Sequence, residues 1–225
     1  MYYDSTFLLL IPALILSLYA QIKVNWTFGK YSKVRSRKGM TGAEVGRKLL
    51  DDAGLRSVPV SQVRGNLTDH YDPRDKTLHL SDSVYGSDSV AAIGVTAHEV
   101  GHAVQDAKAY APLAMRSNLV PIAGLGSQLA IPLFFMGMLF SWPPLMDIGI
   151  IAFSIAVAFQ VVTLPVEFNA SSRAIALLSS GGYLEADELP LAKKVLSAAA
   201  LTYVAATAMA VLNLIRLIAL RGRDD

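Results

Sequence analysis

The stretch Ser-Asp-Ser-Val-Ala-Ala-Ile-Gly-Val-Thr-Ala-His-Glu-Val-Gly-His-Ala-Val, residues 87–104, decides how this chain is read. Val90, Ile93, Ala97, Val100, Ala103 and Val104 recur at helical spacing, and Ser87 or Asp88 is suited to cap the first turn. On such a helix His98 and His102 stand one turn apart on one face, with Glu99 beside the first. Two neutral imidazoles so placed can reach one zinc ion, whose bonds to nitrogen are about 2.0–2.1 Å. Glu99 then falls near the open coordination position and can take a proton from water there. The chain has four histidines, His70, His79, His98 and His102, and two of them fall at this spacing. The competing reading is a solvated helix, which the apolar periodicity opposes. Gly94 and Gly101 each cost this helix about 1 kcal/mol relative to alanine. Either a backbone approaching the metal or simple helix packing would account for them.

Outward from this stretch the composition turns apolar: 53% of the 225 residues are hydrophobic and mean hydropathy is +0.41, too high for an ordinary soluble domain. Phe7 to Ile22 is free of charge, Leu119 to Phe140 and Leu145 to Val166 form a pair, and Val195 to Leu220 is a fourth run. All but the first approach or exceed the roughly 20 residues that span hydrocarbon. Tyr2, Tyr3 and Val24 extend the first run as interfacial residues, and the lack of a preceding Lys or Arg makes it a retained anchor rather than a cleaved signal. The expected fold is a mostly α membrane protein with about four transmembrane helices and a small α+β zincin-like catalytic domain between the first and second. Its divisions are 1–22 (anchor), 23–117 (soluble catalytic region), 118–166 (transmembrane hairpin), 167–194 (helix and loop) and 195–225 (last span and tail). With no cysteine, any metal falls to His and carboxylate. A net charge of +2 offers no footprint for nucleic acid. The ten basic residues from Lys23 to Arg64 are expected against anionic headgroups of the bilayer.

Within the polar stretch, Thr41 to Ala53 reads as a helix with Thr41 as cap, Glu44 three residues on, Val45, Leu49 and Leu50 as its apolar face, and Gly54 as its stop. Val58 to Val63 and Leu67 to Tyr71 read as strands, Asp72 to Asp75 as a turn, and Thr77 to Leu80 as a further extended segment, a possible edge for aligning a peptide by strand addition. Pro121, Pro132 and Pro165 mark kinks or ends of spans. Gly124 and Gly126 permit close helix packing.

A catalytic zinc usually has three protein ligands and one open position. A third histidine six residues after His102 is absent, because that position is Lys108. Asp106 is short and a turn too far. Glu167 is the best candidate, following Pro165 where a helix begins or continues. The chain leaves the His98 helix, crosses the membrane and recrosses it, so Glu167 returns to the side it left. Its other reading is an interfacial charge ending a span.

The runs Arg64 to Pro73, Ala91 to Gly94 leading into the His98 motif, and Leu164 to Ala174 resemble the YugP-like membrane zinc metallopeptidases, over essentially the whole chain. More distantly the chain is similar to HtpX-type gluzincins, in which a downstream Glu completes the site. The resemblance implies His98, His102 and Glu167 as zinc ligands, Glu99 as general base and hydrolysis of a peptide bond. HtpX-type proteins carry Asp four residues after the ligand Glu; here that position is Ser171, whose hydroxyl can bond a ligand. Arg173, His70, Tyr71 and His79 are the candidates for stabilising the oxyanion.

Lys23 to Ser117 carries 14 Lys or Arg and Glu167 to Val195 carries 3, against Arg216, Arg221 and Arg223 on the other side. The positive-inside tendency therefore places the catalytic region in the cytoplasm of a multi-pass cell-membrane protein. The expected partners are a protein or peptide substrate, membrane-associated, and the bilayer, with room for a second copy or a membrane partner. Two rivals remain. An intramembrane protease is opposed by Asp88, Gln105, Asp106 and Lys108 around the motif; a non-catalytic zinc-binding membrane scaffold or regulatory protein is discriminated by Glu99.

Overall fold

A computed structural model describes residues 5–222; Tyr2, Tyr3 and Arg223 lie outside the described residues. The protein is mostly helical, with one small sheet. A 3-10 segment, Ser5–Leu10, leads into α1 (Ile11–Tyr31), followed by α2 (Gly42–Asp52), β1 (Val60–Val63), β2 (His70–Asp72), β3 (Thr77–Ser81), α3 (Asp82–Tyr85), α4 (Val90–Ala107), α5 (Ala111–Leu139), α6 (Pro143–Ser180) and α7 (Leu189–Arg221).

Four helical segments among the described residues are long and apolar enough to cross a membrane: Thr6–Tyr31, Ala111–Leu139, Pro143–Ser180 and Leu189–Arg221. They contain the apolar runs, except that the second helix stops at Leu139, one residue short of Phe140, and each begins before its run or ends after it. The first helix continues past Ile22 to Tyr31, with Val24, Trp26 and Phe28 adding apolar groups beyond the run. Pro165 does not begin a helix; it lies inside α6, as Pro121 and Pro132 lie inside α5. An interior proline forfeits one backbone bond and is tolerated in apolar helices where neighbours re-satisfy the freed carbonyl.

The chain divides into two compact units. One comprises the chain up to Gln21, Ala114–Pro165 and Leu201 onward. Within it Phe134, Met146 and Leu217 are buried together. A Cβ on Gly126 would lie 2.8 Å from the Ala152 carbonyl oxygen, so this glycine does permit close helix packing, whereas Gly124 faces open space.

The other unit comprises Ile22–Leu113 and Val166–Ala200. Its core gathers Val45, Leu49 and Leu50 of α2, Leu78 and Leu80 of β3, Ile93, Ala97 and Val100 of α4, and Ala174 and Leu178 of α6. Thr41 caps α2 through a full capping box: its hydroxyl accepts from the Glu44 amide, and the Glu44 carboxylate accepts from the Thr41 amide at 2.8 Å. Such a cap is worth about 1 kcal/mol. The cap of α4 is Ser89, not Ser87 or Asp88. Residue 89 bridges to Arg35 as an extended pair, which holds the preceding residues out of the helix, and the Asp88 side chain turns to Arg35 at 3.4 Å.

The sheet has the order β1-β3-β2, with β1 parallel and β2 antiparallel to β3. Strand β2 starts later than Leu67, which has a positive φ of 56°. β3 is central and paired on both sides, so Thr77 to Leu80 offers no edge to a peptide, contrary to the expectation for that segment. Leu78 and Leu80 bury one face of β3, which fixes it between the other two strands.

Candidate metal centre

The site lies within the second unit and is built by α4 and α6. Their backbones nearly touch at Gly101, where a Cβ would sit 2.7 Å from the Ala170 carbonyl oxygen. Gly101 falls between His98 and His102 on α4, and Ala170 falls between Glu167 and Ser171 on α6. The crossing therefore sets one helix's imidazoles against the other's carboxylate. A Cβ on Gly94 would meet Ala192, its Cβ at 3.4 Å and its backbone at 3.6 Å and beyond, ordinary packing distances.

The Glu167 Oε2 atom is 3.1 Å from Nε2 of His98 and 3.7 Å from Nε2 of His102. One potential ligand atom from each of the three residues lies within 4.8 Å of the others. Two ligands on a tetrahedral zinc with bonds of about 2.0–2.1 Å are about 3.3 Å apart, so the two measured edges bracket what such an ion needs. Glu167 is 2% exposed and the imidazoles are little more so.

The outer ring nitrogen decides the tautomer of His102. Gln105 donates from Nε2 to the Val166 carbonyl at 2.8 Å and to Asn169 Oδ1 at 3.0 Å. A carbonyl can only accept, and Asn169 Oδ1 also accepts from the Arg173 Nε at 2.7 Å, which can only donate. Gln105 Oε1 is thereby turned toward His102 Nδ1, 3.0 Å away, which must carry the hydrogen. His102 Nε2 is left with its lone pair facing Glu167. His98 Nδ1 has Ser171 Oγ at 3.2 Å, a hydroxyl that can accept the ring hydrogen or donate to the ring, so this contact holds the ring without fixing its tautomer. A lone pair and a carboxylate converging in a buried space need a cation, either protons on the rings or a metal ion. In the protein alone, burial works against a charged His102, but Glu167 and Glu99 outweigh it and raise its pKa.

Glu99 is buried, and burial pushes its carboxyl above the usual range. Its Oε2 accepts from the Tyr71 backbone amide at 3.1 Å. That amide points away from β3, so the free edge of β2 runs beside Glu99. The Tyr71 hydroxyl donates to Asp106 at 2.9 Å, and burial with that bond raises its pKa.

His70 and His79 are not brought to this centre. Their rings stack on the sheet at 4.7 Å, with His79 Nδ1 at 2.7 Å from Ser61 Oγ, His79 Nε2 at 3.3 Å from Asp75, and His70 Nδ1 at 2.9 Å from the Thr68 carbonyl oxygen. Arg173 touches the centre only through Asn169. Sequence reasoning missed Gln105 and Asn169 as supports. Gln105, one turn after His102 on the same helix, carried a signal in its spacing; Asn169 carried none.

This geometry is that of a group able to hold a metal ion, a helix-borne histidine pair facing a carboxylate from a second helix, in a protein with membrane-length helices. Residues 6–222 match the family described as "Putative neutral zinc metallopeptidase", and the chain belongs to it. It is 50% identical over 219 residues, 96% of this chain and 97% of the other, to the "Putative membrane protease YugP" of Bacillus subtilis (strain 168). No solved structure matches the chain at a significant level.

Proposed function

We propose that this chain is an integral-membrane zinc endopeptidase in which His98, His102 and Glu167 hold the metal and Glu99 is the general base. The observation that carries the reading is the convergence of the two Nε2 atoms and Glu167 Oε2, at 3.1 and 3.7 Å, with both outer nitrogens already bonded. Zinc, when bound, supplies Lewis acidity toward the scissile carbonyl and makes water more acidic. Glu99 accepts the proton of the attacking water and hands it to the leaving amine. Its raised pKa suits the second task, and the Tyr71 amide holds its carboxylate in place between the two.

The free edge of β2, rather than β3, is the strand on which an extended peptide can be laid beside Glu99. Arg173, His70, His79 and the Tyr71 hydroxyl are all engaged by other groups, which weighs against each as the oxyanion donor. The substrate class is a protein or peptide at the membrane. The catalytic region, lying between the first two spans in the chain, faces the cytoplasm by the excess of basic residues. Protease protection in sealed vesicles of known orientation tests that side.

The deciding experiment is hydrolysis of casein by the purified full chain, abolished by a chelator and restored by zinc, with Glu99→Gln keeping zinc but losing cleavage. A Glu99→Gln variant with intact cellular function would instead favour the zinc-binding scaffold.

A further inference from the structure

The same unit that holds the metal centre contains a second concavity, a cleft of about 440 Å³ to which α1 contributes Lys23, Trp26 and Thr27, and α7 contributes Lys193, Lys194 and Ser197. Its size falls within the range of ligand sites, about 300–1,000 Å³. Three ammonium groups line it and no carboxylate does. The acidic residues that precede α7 are committed elsewhere: Asp187 to Arg37 at 2.6 Å, Glu185 to Lys38 at 3.4 Å, and Glu188 to the backbone amides of Arg37 and Glu185. Among the described residues no carboxylate pairs with Lys193 or Lys194. Lys193 and Lys194 carry like charge beside one cleft, and an anion seated there neutralises both.

The position of the cleft along both helices says which anion. The first apolar run ends at Ile22, and Lys23 is the next residue; Lys193 and Lys194 immediately precede Val195, where the fourth apolar run begins. Each helix thus presents its lysines at the polar end of a span. Ile22 is 59% exposed and Trp26 is 63% exposed, the interfacial pattern of an apolar side chain followed by an amphipathic ring. Lys30 packs 5.0 Å from the Trp26 ring centroid, which steadies the indole at the cleft wall. Thr27, 5% exposed, and Ser197 bring hydroxyl groups to the same space.

We propose that this cleft binds the headgroup of an anionic glycerophospholipid, its phosphate taken by Lys23, Lys193 and Lys194 and its acyl chains continuing along the apolar surface of α1. An ammonium at an anionic lipid surface strengthens association about fivefold, so three acting together select anionic over zwitterionic lipid. The site ties α1 to the start of α7 through a bound lipid. It rests on neither zinc nor proteolysis.

The test uses the purified full chain in a neutral detergent, with lipid retention read by native mass spectrometry and thermal stability read against added phosphatidylglycerol, phosphatidylcholine or inorganic phosphate. Phosphatidylglycerol is expected to be retained and to raise the melting temperature saturably, while the other two do neither. Lys23→Gln/Lys193→Gln/Lys194→Gln together should weaken that effect on the order of 100-fold. The corresponding triple arginine variant should keep it within a few fold, which separates lost charge from lost folding. A triple glutamine variant at Lys48, Lys76 and Lys108, outside the cleft, should bind as the wild type does. The proposal is overturned if inorganic phosphate reproduces the shift, if phosphatidylcholine is retained equally, or if the cleft and outside variants behave alike.

Discussion

Two pairs of histidines lie in one compact unit and do opposite things. His98 and His102 meet edge to face at 4.8 Å, with both Nε2 atoms open toward Glu167. His70 and His79 stack nearly parallel at 4.7 Å on the sheet, and Ser61, Asp75 and Thr68 occupy three of their four ring nitrogens. The difference lies in what surrounds the rings. Both Nε2 atoms of the first pair face one carboxylate, whereas on the sheet the partners sit on both sides of His79.

The sharpest break of that contrast removes the carboxylate. Glu167→Ala should abolish zinc retention after dialysis, measured by elemental analysis, and with it all hydrolysis, whereas His79→Ala should leave the zinc stoichiometry of the wild type. Glu99→Gln should retain zinc and lower kcat by about 10²–10⁴-fold or more; an equal loss of zinc would mean that Glu99 is structural.

A milder intervention separates the helices. Gly101→Ala places a methyl group 2.7 Å from the Ala170 carbonyl oxygen and should cost about 1–3 kcal/mol of stability and weaken zinc binding. Gly94→Ala meets a 3.4 Å contact and should be neutral to stabilising by up to about 1 kcal/mol in thermal melts. If the two glycines respond alike, the crossing at Gly101 does not set the centre.

Subtler still, Gln105→Leu removes the acceptor that fixes the His102 tautomer and should weaken zinc about 10–100-fold in competition with a chelator. Ser171→Ala should cost less, because its hydroxyl bond with His98 Nδ1 is only part-buried and longer than the bond between Gln105 and His102. Changing Ser61 to Ala, the corresponding partner on the sheet, should leave zinc affinity untouched.

Local rules were legible in the chain. Thr41 and Glu44 announce a capping box three residues apart, and it forms as written. Periodicity from Val90 to Val104 describes the buried face of α4, and two crossings of the membrane suffice to expect Glu167 near the histidines. What failed was pairing. Alternation in Thr77 to Leu80 marks a strand but carries no information about its neighbours, and β3 proved central, flanked by a parallel strand that the hairpin pattern did not suggest. The helix cap moved to Ser89 because of a bridge to Arg35, more than 50 positions earlier.

By itself the sequence determined the helices of residues 41–53 and 90–104, which runs are apolar enough to span a bilayer, and that His98 and His102 share a face, since spacing along one helix is a property of 3.6 residues per turn. Tertiary structure alone decided that α6 crosses α4 at Gly101, that Gln105 reaches Val166 and Asn169 on another helix, and that the edge beside Glu99 belongs to β2. Those facts depend on where distant backbones come to rest against each other, and hydrophobic packing sets that through volume and shape over the whole unit rather than through any local pattern.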